Sequence, residues 1–142
     1  MSMAQSNVKT RRRFPRIEVS IPIEVRAECG LVFDAMTKDI SQIGLLFATG
    51  RSIFQQLTVN QRLSEKSQPA EVDIKLILPM EDKRPIEICT HCRIFQLRRV
   101  SSDCYHIGLE YTKLSEPDYN RLTQYIKDVA TSRKTWKMRQ QY

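Results

Sequence analysis

Between Ile17 and Arg26 every second position is apolar: Ile17, Val19, Ile21, Ile23 and Val25 alternate with Glu18, Ser20, Pro22, Glu24 and Arg26. A period of two places the apolar set on one face of an extended chain, which predicts a half-buried strand. Pro22, on the polar side, has no backbone donor, so the strand is expected at a sheet edge or with a bulge. Beyond the Glu28-Cys29-Gly30 turn, the pattern predicts a second strand over Leu31 to Asp39. A third follows over Ile43 to Ala48, after a turn ending at Gly44. Val72, Ile74, Leu76 and Leu78 alternate with Asp73 and Lys75 to give a fourth, closed by Pro79, and Ile86 to Phe95 and Tyr105 to Tyr111 supply two more. The first three strands are expected in meander order, and six strands with no helix between them predict an antiparallel sheet closed into a barrel, with Phe33, Phe47, Tyr105 and Tyr111 in its core.

The pattern changes twice. From Gly50 to Pro69 the chain is rich in Gln, Ser and charge, with Ile53, Phe54 and Leu57 at helical spacing, and the expectation is a loop with a short helical turn. Near the end, Ser115-Glu116-Pro117-Asp118 has the form of a helix start with proline in the first turn. Tyr119, Leu122, Ile126 and Val129 then follow at i, i+3, i+7 and i+10. A C-terminal amphipathic helix with its stripe on the barrel is predicted, and Thr131 to Tyr142 either extends it or frays. The expected organisation is a flexible tail over 1–10, one domain over 11–129, and a basic helical extension or tail over 130–142.

Composition agrees with one domain: 142 residues, 41% hydrophobic and 27% charged, with no apolar run approaching the length of a membrane span. A polar N-terminus without a signal-like stretch makes the cytosol the expected compartment. The formal charge of +7 is unevenly placed. Residues 1–16 carry five basic groups and no acid, residues 129–142 carry four and no acid, and the chain between them is slightly acidic. A chain that wraps a long nucleic acid more often spreads its positive charge over the folded face. The terminal surplus points instead to a compact anion held by an arm.

Cys89, Cys92 and Cys104 with His91 and His106 offer enough zinc-type ligands to require a test. In an extended strand Cys89 and Cys92, an odd number apart, face opposite ways, and no turn-forming residue lies between them. A metal site is therefore not expected, and reduced thiols are. No Gly-rich phosphate loop or nucleophile elbow is present, so no enzyme activity is expected.

Two short stretches carry candidate chemistry. Arg11-Arg12-Arg13-Phe14-Pro15-Arg16 leads into the first strand, and Asp39-Ile40-Ser41-Gln42-Ile43-Gly44 forms the turn between the second and third. A planar guanidinium can pair two-pronged with a guanine edge or a phosphate and stack on a purine face, which an ammonium does much less well. A carboxylate such as Asp39 accepts from guanine N1 and N2, Ser41 can donate or accept, and Gly44 permits close backbone approach. Taken singly, a basic N-terminal run reads as a solvated tail and Asp-x-Ser as an ordinary turn.

Together the two stretches resemble the PilZ domain family, which carries Arg-x-x-x-Arg before the first strand and Asp/Asn-x-Ser-x-x-Gly after it. Arg12 and Arg16 fit the first motif, and Asp39, Ser41 and Gly44 fit the second. The resemblance extends over about Arg11 to Ile126 and implies a six-stranded antiparallel barrel with a C-terminal helix. It also implies a bacterial cyclic di-GMP receptor with no cofactor, whose arginine arm is ordered by the ligand and read by an unidentified downstream protein. Motility, exopolysaccharide or pilus function would be the output. Arg11, just before the motif, is associated in the family with two mutually intercalated ligand molecules. Arg13, His91 and Arg93 are secondary candidates, the last two sharing one face of the fifth strand. The expected protein has no membrane span and binds no long nucleic acid, and it is a monomer or a ligand-dependent dimer. A PilZ-like adaptor that does not bind the nucleotide, and a small nucleic-acid-binding barrel, are the competing readings.

Overall fold

A computed structural model of the chain describes residues 15–63 and 70–140. Its elements in order are β1 (Ile17–Glu18), β2 (Pro22–Ala27), β3 (Val32–Ile40), β4 (Gly44–Thr49), α1 (Arg51–Leu63), β5 (Glu71–Leu78), β6 (Ile86–Ser101), β7 (Cys104–Tyr111) and α2 (Glu116–Gln140). The strands are antiparallel in the order β1-β3-β2-β5-β6-β7-β4, and pairing of β3 with β4 closes the sheet. Six strands thus form the predicted barrel and β1 is an extra strand laid on β3. Inward positions such as Ile23, Val25, Leu45, Phe47, Ile74, Leu76, Ile88, Ile107 and Leu109 fill the interior, as the alternation required. The Glu28-Cys29-Gly30 turn depends on Gly30, whose φ of 97° favours a residue without Cβ.

The predicted first strand is two strands. Val19 to Ile21 leaves the ladder, and buried Thr37 on β3 fills the break: its Oγ1 accepts from the Ile21 amide at 2.9 Å and donates to the Val19 carbonyl. The backbone joins in, with the Thr37 amide donating to the Ile21 carbonyl at 3.0 Å and the Val19 amide to the Lys38 carbonyl at 3.3 Å. Apolar alternation survives the break because Ile17, Ile21 and Ile23 all remain buried, so hydropathy alone did not mark it.

Two further boundaries differ from expectation, and the C-terminal helix takes the extended of its two expected forms. The polar stretch after Gly50 opens with the 13-residue helix α1 rather than a short helical turn. Residues 51–63 contain neither Gly nor Pro, Leu57 is buried, Ile53 packs on the core, and Phe54 stacks on Tyr105 with ring centroids 4.0 Å apart. Strand β6 continues past Phe95 to Ser101, because an irregularity between Ile94 and Gln96 resets which face its side chains take. Helix α2 runs unbroken to Gln140. At its start Ser115 Oγ accepts from the Asp118 amide at 3.3 Å, and Glu116 and Asp118 lie where the helix dipole favours acids. Leu122, Tyr125 and Ile126 bury its inner face against the barrel.

Candidate functional site

Strand β1 brings the two motifs together. Its register, Ile17 opposite Ile40 and Glu18 opposite Asp39, sets the end of the arginine stretch beside the start of the second motif. Arg16 Nη1 donates to Asp39 Oδ1 at 2.9 Å, across 23 residues of sequence. Both side chains keep solvent access, 38% for Arg16 and 20% for Asp39. An ion pair so exposed is worth about 1 kcal/mol or less, so an incoming ligand can exchange it at small cost.

Ser41 does something different from Asp39. It is fully buried, and its hydroxyl is taken up by its own turn: Oγ accepts from the Ile43 amide at 3.2 Å and the Gly44 amide at 3.3 Å, and donates to the Gly44 carbonyl at 3.3 Å. The Ser41 amide donates to the same carbonyl at 2.9 Å, which closes the β3–β4 turn. A Cβ on Gly44 would lie 2.1 Å from the Leu109 carbonyl oxygen on β7, so no larger residue fits without parting the strands. In this structure Ser41 and Gly44 set the shape of the turn, and Arg16 and Asp39 present the accessible polar atoms beside it.

Tyr111, at the end of β7, ties the turn to the barrel. Its hydroxyl donates to the Ser41 carbonyl at 3.2 Å and its amide to the Ile43 carbonyl at 3.0 Å. Burial holds the phenol strongly protonated, with the Arg16 charge close enough to oppose that effect and Asp39 close enough to add to it. The sequence reading placed Tyr111 in the core but missed this tie, which depends on a register between strands 70 residues apart.

The secondary candidates lie on the outer wall. Glu71, Arg93, Glu110 and Gly44 occupy successive partner positions across β5, β6, β7 and β4. Arg93 is therefore two strand spacings, about 10 Å, from the motif glycine. It pairs with Glu110 at 2.7 Å. His91, one row further, has Nδ1 2.7 Å from Asp73 Oδ1 and Nε2 3.2 Å from Glu71 Oε2. Hydrogen bonds to Asp73 first and Glu71 second raise its pKa above the ordinary 6.5. Both basic groups are thus already held by acids. Arg11, Arg12 and Arg13 lie outside the described residues. Cys89 is exposed and Cys92 buried, on opposite faces as their odd separation required, and burial pushes the Cys92 thiol up to about 12.

A closed six-stranded barrel with a C-terminal helix, and an arginine and an aspartate joined at its first strand beside a Ser-x-x-Gly turn, together define one class of small domain. The chain belongs to the PilZ domain family, whose model matches residues 10–128. No curated protein sequence matches it. Among solved structures, the Bacillus subtilis inhibitor of motility MotI/DgrA aligns at 16% identity with a TM-score of 0.68, covering 86% of this chain and 52% of that one. The PilZ domain of YcgR from Escherichia coli, solved with c-di-GMP, aligns at 12% identity and TM-score 0.57, covering 93% and 99%. The K. pneumonia MrkH complex with c-di-GMP aligns at 19% identity and TM-score 0.58, covering 88% and 55%. The chain thus spans about half the length of the B. subtilis and K. pneumonia proteins. Likeness at these identities establishes the fold. No helix among the described residues is long and apolar enough to cross a membrane.

Proposed function

We propose that this protein is a bacterial cytoplasmic receptor for cyclic di-GMP, without enzyme activity, that relays ligand binding to a protein partner. The observation that carries the reading is the Arg16–Asp39 pair, which joins the two motifs at one accessible point of the barrel. Family membership and the c-di-GMP complexes of YcgR and MrkH support the choice of ligand.

In this reading Arg12 and Arg16 contact the guanine edges and phosphates, and Asp39 accepts from guanine N1 and N2. Ser41 and Gly44 contribute by holding the turn, as their buried hydrogen bonds and close packing favour. Arg11 supplies a further guanidinium for a second, intercalated molecule. Arg13, Arg93 and His91 add outer contacts, the last two by exchanging Glu110, Asp73 and Glu71 for ligand. Exchange of the exposed Arg16–Asp39 pair costs about 1 kcal/mol or less, whereas each charge-assisted contact to the nucleotide contributes about 1.5 to 3 kcal/mol, so the balance favours binding.

Calorimetric titration of the wild type, Arg12→Ala and Arg16→Ala with cyclic di-GMP tests this, with a single-stranded oligonucleotide as the competing ligand. Saturable binding at about micromolar Kd or tighter, weakened at least about tenfold in each variant, is expected. A stoichiometry near two ligands per chain would support the role given to Arg11, and near one would remove it. Heat from the oligonucleotide alone would contradict the proposal.

A further inference from the structure

Strand β1, which sets Arg16 against Asp39, is only two residues long and has a strand neighbour on one side alone. A two-residue edge strand has few hydrogen bonds with which to hold its place. Two features compensate. Ile17 is buried in the core cluster that also contains Leu122, Tyr125 and Ile126 of α2. From the same helix, 115 residues later in sequence, the Arg133 guanidinium donates through Nη2 to the Glu18 backbone carbonyl. Glu18 is the residue paired with Asp39 and lies two positions from Arg16.

We propose that Arg133 is a positioning residue for the nucleotide site: from helix α2 it holds the backbone of β1, and through it Arg16, beside Asp39. The proposal rests on the receptor reading above for its ligand, but the hold on β1 is independent of that ligand. Arginine suits the task. Its guanidinium stays charged at any physiological pH and makes a charge-assisted bond to a carbonyl, while its long stem spans from helix to strand without moving either. The side chain is exposed and fills no part of the core, so its removal leaves the barrel packed. Losing it lowers the fraction of molecules with β1 in the binding arrangement, and apparent affinity falls by that fraction.

Hydrogen exchange on the full chain, without ligand, followed by cyclic di-GMP titration, tests the assignment in wild type, Arg133→Ala and Arg133→Lys. The expected result is exchange about tenfold faster at residues 17–19 in Arg133→Ala, with exchange in β5 and β7 unchanged. Affinity for cyclic di-GMP should fall about fivefold in the same variant, and Arg133→Lys, which keeps a charged donor, should recover much of both losses. A melting temperature close to wild type confirms that the variant is folded. Unchanged exchange at residues 17–19 overturns the proposal, as does faster exchange with unaltered affinity. If the wild type takes up no cyclic di-GMP, the receptor reading falls, and exchange alone decides whether Arg133 holds β1.

Discussion

At the scale of single residues, the two motifs divide their labour. Asp39 and Arg16 offer polar atoms to solvent, while Ser41 and Gly44 turn inward and build the surface on which those atoms stand. Gly44 is the sharpest case, since a Cβ there would sit 2.1 Å from the Leu109 carbonyl. Backbone at that distance cannot rotate away, so Gly44→Ala should destabilise the fold by about 2 to 4 kcal/mol, read as a lowered urea midpoint. A midpoint equal to wild type would show that β4 and β7 separate freely, contrary to this packing. The Asp39-x-Ser41-x-x-Gly44 motif and its place in a turn were legible in the sequence, because a spaced motif is local information. The tie from the Tyr111 hydroxyl to the Ser41 carbonyl was not, because it comes from a strand 70 residues away.

Elements show the same division between local and distant causes. Strand alternation over Ile23 to Val25, Val72 to Leu78 and Ile86 to Ile94 was readable directly, since a buried face imposes a period of two. Breaks were not readable: the gap filled by Thr37 preserves the apolar pattern, and the irregularity after Ile94 erases it while the strand continues. Helix α1 was underestimated because its hold on the barrel is a Phe54–Tyr105 stack between distant residues. The β5–β6 pair carries a prediction of its own. His91, flanked by Asp73 and Glu71, has a folded-state pKa raised above 6.5. Its charged form therefore stabilises the fold fully below about pH 6.5, and that contribution is lost as pH rises through the elevated value. The carboxylates are substantially exposed, so the effect should stay below about 1 kcal/mol. Urea midpoints of wild type and His91→Gln should differ most near pH 5.5 and converge by pH 9; a difference independent of pH would contradict the ion pairs.

Over the whole molecule, residues far apart in sequence are brought to one strand of the barrel. The arginine stretch enters β1 at Arg16, and α2 returns to the same strand through Arg133. Arg16 and Arg133, one from each of the two basic segments visible in the sequence, thus come to the same strand. What composition did not reveal is that Arg133 reaches the strand beside Arg16, which follows from how α2 packs on the barrel. In the function proposed above, cyclic di-GMP binds where β1, Asp39 and the Ser41 turn converge. Backbone amide chemical shifts recorded through a cyclic di-GMP titration test it most directly. Saturable shifts are expected to concentrate at residues 16–18 and 39–44 and at Tyr111, with the hairpin around Ser101 to Asp103 unaffected. Shifts confined to that hairpin or to α1, or no shifts at all, would contradict it.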